Sequence, residues 1–164
     1  MAGRIAIPIH DAQGAIIAYA GRWPGNPPEG EPKYKLPRGF KKSLVLYNLH
    51  RVLALKSTPE QRLAGPVIVV EGYWSVFRLT QLGYPNVVAL MGSTLSSAQA
   101  RLQTAHVDRA IVIMDGDPPG RQAQAEIVDR LARHLWIRGI ELPDGADPDT
   151  MAEDVLSTLR TLPR

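Results

Sequence analysis

The chain has 164 residues, of which 45% are hydrophobic and 21% charged, a composition typical of one globular domain or of one domain with a small appendage. It has no cysteine, which excludes disulfides and thiolate zinc sites. No apolar run approaches the roughly 20 residues that a membrane helix needs. Residues 1–11 also lack a signal-peptide pattern, so we expect no membrane association and a cytoplasmic location.

The net charge of +3 conceals an uneven distribution along the chain. Residues 1–56 hold nine Lys/Arg and three acids and so carry +6, whereas the remaining residues carry −3. A basic segment beside an acidic one is what a nucleic-acid groove next to a metal site requires. The alternative is a basic face that is simply solvated.

The first part of the chain is predicted to be rich in β-structure. Residues 4–9 and 15–21 read as two strands, and the turn Asp11–Gly14 between them indicates an antiparallel hairpin. Residues 23–37 contain five prolines and two glycines and are expected to form a loop. Apolar residues at helical spacing predict a helix over 43–56.

From Val67 onwards, predicted strands alternate with predicted helices. This alternation indicates a parallel sheet with right-handed crossovers. The predicted strands are 67–70, 87–90, 110–114 and 136–142, and the predicted helices are 73–82, 96–105, 118–134 and 148–159.

Carboxylates follow three of these strands, at the end where parallel sheets bind their ligands. The acids are Glu71, then Asp115 with Asp117, then Asp144, Asp147 and Asp149. Acids gathered at one edge repel each other unless a cation lies between them, and ligand sets of oxygen atoms alone suit Mg²⁺. Any one of these acids could instead cap a helix, and Asp147 before Pro148 is a good example.

Several short motifs together resemble a known family. Glu71-Gly72-Tyr73, Asp115-Gly116-Asp117 with Gly120-Arg121, and residues 142–145 with 147–150 resemble the TOPRIM domain of bacterial replicative primases of the DnaG type. The N-terminal segment resembles the basic subdomain that precedes TOPRIM in those primases, through Arg4, residues 7–9, Asp11, Gly14, Gly21-Arg22 and residues 32–34. Topoisomerases and small TOPRIM nucleases do not share that segment.

The resemblance implies a fold of the α/β class: a TOPRIM-type parallel sheet flanked by helices and preceded by a small basic β-rich subdomain. The expected boundaries are 1–64 for the basic subdomain with its connection and 65–164 for the TOPRIM domain. The implied activity is that of a metal-dependent nucleotidyltransferase, a DNA-directed RNA polymerase that synthesises primers on single-stranded DNA from nucleoside triphosphates.

The resemblance also implies roles for individual residues. The catalytic acids would be Glu71, Asp115 and Asp117, and the ligands of Mg²⁺ or Mn²⁺ would be these three together with Asp147 and Asp149. Nucleic acid or nucleotide would be bound by Arg22, Lys33, Tyr34 and Arg121.

Two departures from the family pattern leave alternatives open. The position four residues after Glu71 is usually acidic in the family and is Ser75 here, which leaves room for a nucleic-acid-binding module whose catalysis has lapsed. The family's zinc-binding module and helicase-binding C-terminus have no counterpart, so the chain is either a fragment or a minimal protein that relies on such partners. A TOPRIM nuclease is a further alternative. The four histidines show no ligand spacing and are expected on surfaces or helix faces.

Overall fold

The computed structural model describes residues 2–56, 63, 65–150 and 159. A small antiparallel sheet begins the chain, with strands β1 (Ile5–His10), β2 (Ile16–Arg22) and β3 (Tyr34–Lys35) in the order β1-β2-β3. We call it the N-terminal sheet. The predicted hairpin is therefore confirmed, and the Asp11 side chain closes its turn by accepting backbone N–H bonds from Gln13 and Ala15.

The second sheet is parallel and has four strands in the order β5-β4-β6-β7. Its strands are β4 (Val67–Val70), β5 (Val87–Ala89), β6 (Arg109–Val112) and β7 (Trp136–Gly139). Within residues 2–56 and 65–150 the helices are α1 (Leu49–Leu53), α2 (Tyr73–Gln81), α3 (Ser97–His106) and α4 (Pro118–Leu131), and Lys42–Leu44 forms a 3₁₀ turn. The predicted parallel sheet with flanking helices is confirmed.

Two hydrophobic clusters cover the two faces of the parallel sheet, because successive residues of a strand point to opposite sides. Ile68 and Val70 of β4 face the first cluster, which α2 shares with Ile7 and Ile9 of the N-terminal sheet. Val67 and Val69 of β4 face the second cluster, to which α1, α3 and α4 contribute. The N-terminal sheet thus packs into the core of the larger sheet.

The predicted helix over 43–56 is wrong in extent. Tyr47 instead pairs with Ala89 at the edge of the parallel sheet, and Asn48 adopts a left-handed backbone with φ of 69°. The buried Asn48 side chain donates a hydrogen bond to the carbonyl of Val87, which holds this kink against β5. Only Leu49–Leu53 is helical as a result.

The segment 23–37, predicted to be a loop, contains the short strand β3, whose Tyr34 pairs with Arg22 at the end of β2. Of the helix predicted over 148–159, residues 148–150 form a turn and Leu159 is helical and buried, while 151–158 lie outside the described residues. Within the described ranges, no helix has the length and apolar character needed to cross a bilayer.

Candidate functional site

Two of the predicted site acids leave neighbouring strands at the same edge of the sheet. β4 and β6 run parallel, and the backbone N–H of Ile113, directly after β6, donates to the carbonyl of Val69 near the end of β4. Glu71 follows β4, and Asp115 follows the extended end of β6. The structure therefore brings Glu71 and Asp115 to one edge, as the motif spacing predicts.

Asp115 is electrostatically the most perturbed acid of the site. Its pKa is raised from the ordinary 3.8 to about 6, first by burial and then by the negative charges of Glu71, Asp147, Asp117 and Asp149. Every predicted metal ligand thus acts on this one carboxyl group. A group that is buried and surrounded by like charge is stabilised in its ionised form by a bound cation.

Glu71 also has a raised pKa, through burial and the charges of Asp117 and Asp147, which Lys42 partly offsets. Lys42 was not among the predicted site residues. Its ammonium group donates a 2.7 Å hydrogen bond to the carbonyl of Met91, at the turn that follows β5. Lys42 belongs to a run of basic residues, and nothing in that run distinguishes the lysine that reaches the acidic edge.

A pocket of about 340 Å³ joins this edge to the N-terminal sheet. Tyr34 and Leu36 line it on the side of the N-terminal sheet, and Glu71 lines it on the side of the parallel sheet. Its remaining lining residues are Lys42, Gly72, Tyr73, Met91 and Gly92. The pocket therefore offers a cation and an acid on its walls together with an aromatic ring, a combination suited to a nucleotide.

Asp117 has a structural role as well as a place near the acids. It is the N-cap of α4, and its carboxylate accepts a 2.7 Å hydrogen bond from the backbone N–H of Gly120. Pro118 and Pro119 occupy the first turn, where a missing N–H leaves no helical bond unmade. The carboxylate retains a second oxygen with which to bind an ion.

Backbone bonds tie the loop that follows β6 to the loop that follows β7. Gly116 donates a 2.7 Å hydrogen bond to the carbonyl of Ala146, and Gly145 donates a 2.9 Å bond back to the carbonyl of Gly116. A side chain at Gly116 has no room, since its Cβ would lie 2.1 Å from the carbonyl oxygen of Pro143. This close approach places Asp147 near Asp115 despite the long sequence between them.

The predicted nucleotide-binding Arg121 braces the same pair of loops. Its guanidinium donates to the carbonyl of Gly116 and forms a 2.9 Å ion pair with Asp144, whose side chain is 93% exposed. An ion pair this exposed stabilises little by itself. A role for Arg121 in binding nucleotide stays a prediction.

The predicted nucleic-acid residues of the N-terminal sheet differ in their surroundings. Arg22 lies 4.3 Å above the ring of Trp74 and donates a hydrogen bond to the hydroxyl of Tyr34, so it links the N-terminal sheet to α2. Tyr34 faces the pocket, and its ring is 5.6 Å from that of Tyr73. Lys33 is exposed.

Ser75 is buried, with 6% of its surface exposed. It is the third residue of α2, whose N-cap is Gly72, directly after Glu71.

Among the described residues, no group of three His, Cys, Asp or Glu side chains stands close enough to hold one ion.

Comparison with known proteins agrees with this geometry. Residues 65–139 match the family described as the Toprim domain. The DNA primase of Legionella pneumophila is 36% identical over 159 residues, and the match covers 92% of this chain and 26% of that protein. This chain therefore spans about a quarter of the length of that relative.

Solved structures extend the likeness to the fold. The Aquifex aeolicus primase, comprising zinc-binding and RNA polymerase domains, matches with a TM-score of 0.78 at 32% identity, over 96% of this chain and 39% of that one. A DnaG primase catalytic domain bound to single-stranded DNA matches with the same TM-score at 28% identity, over 96% of this chain and 51% of that one. The resemblance to the DnaG-type catalytic core that the motifs indicated is confirmed.

Proposed function

We propose that this chain, a relative of the catalytic core of DnaG-type primases, is the nucleotidyltransferase core of a primase-like protein, a DNA-directed RNA polymerase that makes primers on single-stranded DNA. The observation that carries the proposal is the acidic edge itself. Glu71 and Asp115 leave adjacent strands together, and burial and the charges of four acids raise the pKa of Asp115. Glu71 also lines a pocket together with Lys42.

We propose Mg²⁺ or Mn²⁺ as the ion, held by Glu71, Asp115, Asp117, Asp147 and Asp149. The donor chemistry fits, because all five side chains offer carboxylate oxygen and the negative charges around Asp115 favour a cation there. Since no three acids among the described residues stand close enough to hold one ion, binding would draw these side chains together. When bound, such an ion stabilises the negative charge that develops on a transferred phosphoryl group.

The protein's own groups would position the two reactants. Lys42 would hold the triphosphate at the pocket, because it already directs its ammonium group to that edge through the carbonyl of Met91. Tyr34 would form the wall against the base or sugar. The reaction joins a primer 3′-hydroxyl to the α-phosphate of the incoming nucleotide and releases pyrophosphate.

The template would follow the basic segment beside the pocket. Lys33, Lys35, Arg38, Lys41 and Lys42 fall within ten residues that contain no acid, and all five are exposed. The related catalytic domain bound to single-stranded DNA supports this choice of template. Arg22 would act by holding Tyr34 in place and by adding to the positive potential.

Replacing Lys33, Lys35 and Arg38 together with Ala should weaken binding of single-stranded DNA and flatten its salt dependence. Each lost phosphate contact lowers the slope of log K against log salt by roughly 0.7 for a single strand. Fluorescence anisotropy with a labelled oligonucleotide at several salt concentrations measures both effects. The matched control is Arg101→Ala, which removes an exposed cation from α3, against the opposite face of the parallel sheet. Equal losses of DNA affinity in the triple variant and in Arg101→Ala would contradict a template path along the basic segment.

A second candidate function, a nucleic-acid-binding module without catalysis, is favoured by one observation. Ser75 stands where the family usually has an acid, so one negative charge is absent near Glu71. The burial of Ser75 means that a carboxylate introduced there would be stabilised by a bound cation and penalised without one.

Ser75→Asp should therefore tighten Mg²⁺ or Mn²⁺ binding by about tenfold, which corresponds to about 1.4 kcal/mol. Isothermal titration calorimetry with each metal measures the affinity. Ser75→Asn is the matched control, since Asn is about the size of Asp and carries no charge. If both variants bind metal with the affinity of the wild type, Ser75 has not replaced a ligand, and the main argument for lapsed catalysis is removed.

A primer-synthesis assay separates the candidate functions. The purified chain is incubated with single-stranded DNA, nucleoside triphosphates and Mg²⁺ or Mn²⁺. New labelled strands are the expected product. Bound but unchanged template would indicate the non-catalytic module, and cleaved template would indicate a nuclease.

We propose the domain boundaries 1–64 and 65–164, with the connection at the partly undescribed residues 57–64. A separate zinc-binding module is supported by the related primase that carries one, and a replicative helicase is a further proposed partner. We propose that the protein works in the cytoplasm, where its nucleic-acid template would be.

A further inference from the structure

Two histidines that are distant in sequence form a stacked pair outside the candidate site. The ring centroids of His10 and His50 lie 4.1 Å apart, and the ring planes are inclined by 30°. His10 is the last residue of β1, where the pairing with β2 shifts register, and His50 is the second residue of α1. The sequence, in which these histidines show no ligand spacing, does not indicate this contact.

The stack connects two parts of the fold. β1 belongs to the N-terminal sheet, whereas α1 packs against the parallel sheet through Leu49 and Val52. The N-terminal sheet also carries Tyr34 and, just beyond β3, Leu36 on the wall of the candidate nucleotide pocket. Loosening the stack would therefore also loosen the side of the pocket that Tyr34 and Leu36 form.

The surroundings of the stack suit neutral rings. The Nδ1 atoms of His10 and His50 are both buried and have no hydrogen-bond partner among the described residues. A neutral imidazole can leave such an atom as a lone pair, but an imidazolium carries N–H on both nitrogens. Protonation would place a charged donor without a partner in the interior, which is costly.

The charges near His50 act mostly in the same direction. Burial, His10 and the adjacent Arg51 lower the pKa of His50, in that order, and Asp11 opposes them. Asp11 is already engaged, because its carboxylate accepts the backbone N–H groups of Gln13 and Ala15 in the hairpin turn. Of these influences on the pKa of His50, that of Asp11 is the smallest.

We propose that the His10–His50 stack is a pH-sensitive joint, closed when the His50 ring is neutral and loosened when that ring is protonated, which frees the N-terminal sheet from α1. Because the pKa of His50 is lower in the folded chain, folding is fully favoured above the ordinary histidine value near 6.5 and weakens as the pH falls below it. Each proton taken up lowers the folding equilibrium constant by at most about tenfold per pH unit.

Amide hydrogen exchange followed by NMR at pH 7.5 and pH 5.5 tests the joint. Acidification should lower the protection of Ile7 and Ile9 in β1 more than that of Val69 and Ile111 in the parallel sheet, after correction for the intrinsic pH dependence of exchange. His50→Phe keeps a ring in the stack that cannot be protonated, and it should remove this difference. His134→Gln is the control, since His134 is exposed and lies beyond α4.

An independent measurement uses variants that keep both partners close to their native size. The imidazole signals of His50 should titrate at higher pH in His10→Gln than in the wild type, because the charge of His10 is removed. An unchanged His50 titration in His10→Gln would overturn the proposal, and so would an equal loss of protection in both sheets on acidification. This test is independent of nucleotide chemistry, so the joint and the proposed primase function can fail separately.

Discussion

Asp115→Asn should lower primer synthesis by about 10³-fold or more while making the chain more stable to heat at neutral pH. The catalytic loss follows because a ligand of the proposed ion is removed, and such an ion contributes several kcal/mol to phosphoryl transfer. The gain in stability follows because the charged carboxyl group is buried and repelled by its neighbours in the folded chain. It should be on the order of 1 kcal/mol, allowing for partial solvent screening.

The pH dependence of this effect has a definite sign. The pKa of Asp115 is raised from 3.8 to about 6, so the folded chain holds this proton more tightly than the unfolded chain does. The proton bound by Asp115 therefore stabilises the folded wild type in full below about pH 4, and this stabilisation is lost as the pH rises through 6. The stability advantage of Asp115→Asn should grow over the same interval and then level off.

Thermal unfolding of the two proteins between pH 4 and pH 8, without metal, measures the difference. Glu141→Gln is a suitable control, since it removes an exposed acid that does not appear among the charges acting on Asp115. A variant that is less stable than the wild type at pH 7 would contradict the account of repulsion. A variant that retains full activity would contradict the catalytic role.

Gly116→Ala should destabilise the fold by about 3 kcal/mol or more and lower activity as well, because its methyl group meets backbone atoms that cannot move independently. The Cβ would lie 2.1 Å from the carbonyl oxygen of Pro143 and 3.0 Å from that of Ala146. The loop that carries Asp147 must therefore move away from Asp115. A loss of about 3 kcal/mol in stability lowers the melting temperature by roughly 10 °C for a chain of this length.

Gly72→Ala provides the matched control, since no atom lies within 4 Å of its Cβ position and its φ of −126° suits any residue. It should cost less than about 1 kcal/mol, the ordinary price of Ala at an N-cap. Differential scanning calorimetry compares the three proteins. Equal melting temperatures for Gly116→Ala and wild type would mean that the two loops are not held together as described.

The two substitutions separate charge from geometry. Asp115→Asn removes charge and leaves the loops in place, so stability and activity should change in opposite directions. Gly116→Ala removes no acid but displaces the loop that carries Asp147, so stability and activity should fall together. This contrast distinguishes a metal site from a set of acids that merely cap and close turns.

Much of the parallel sheet could be predicted because β4, β5 and most of β6 are short apolar runs buried on both faces. Val67–Val70 and Ala110–Val112 are continuous aliphatic or small residues, and the acids that follow them mark the strand ends. The common edge of Glu71 and Asp115 then follows from parallel topology alone. In contrast, β3 lies in a proline-rich segment whose pairing depends on Arg22 being nearby in space.

Long-range contacts set the features that the sequence pattern missed. Apolar spacing over 43–56 suggests a helix, but the bridge from Tyr47 to Ala89 and the Asn48 bond to Val87 override local propensity. Lys42 in the 3₁₀ turn reaches Met91, and His10 of β1 meets His50 of α1, through contacts between parts of the chain that are far apart in sequence. No local pattern encodes such partners.

Mn²⁺ titration followed by NMR shows directly whether the acids at the edge of β4 and β6 bind a divalent ion. The paramagnetic ion should first broaden the amide signals of Gly72, Gly116 and Ala146, and it should spare His106 at the opposite end of the sheet. Asp115→Asn should abolish this selective broadening. Broadening that is uniform, that begins elsewhere, or that persists in Asp115→Asn would mean that these acids do not form the ion site.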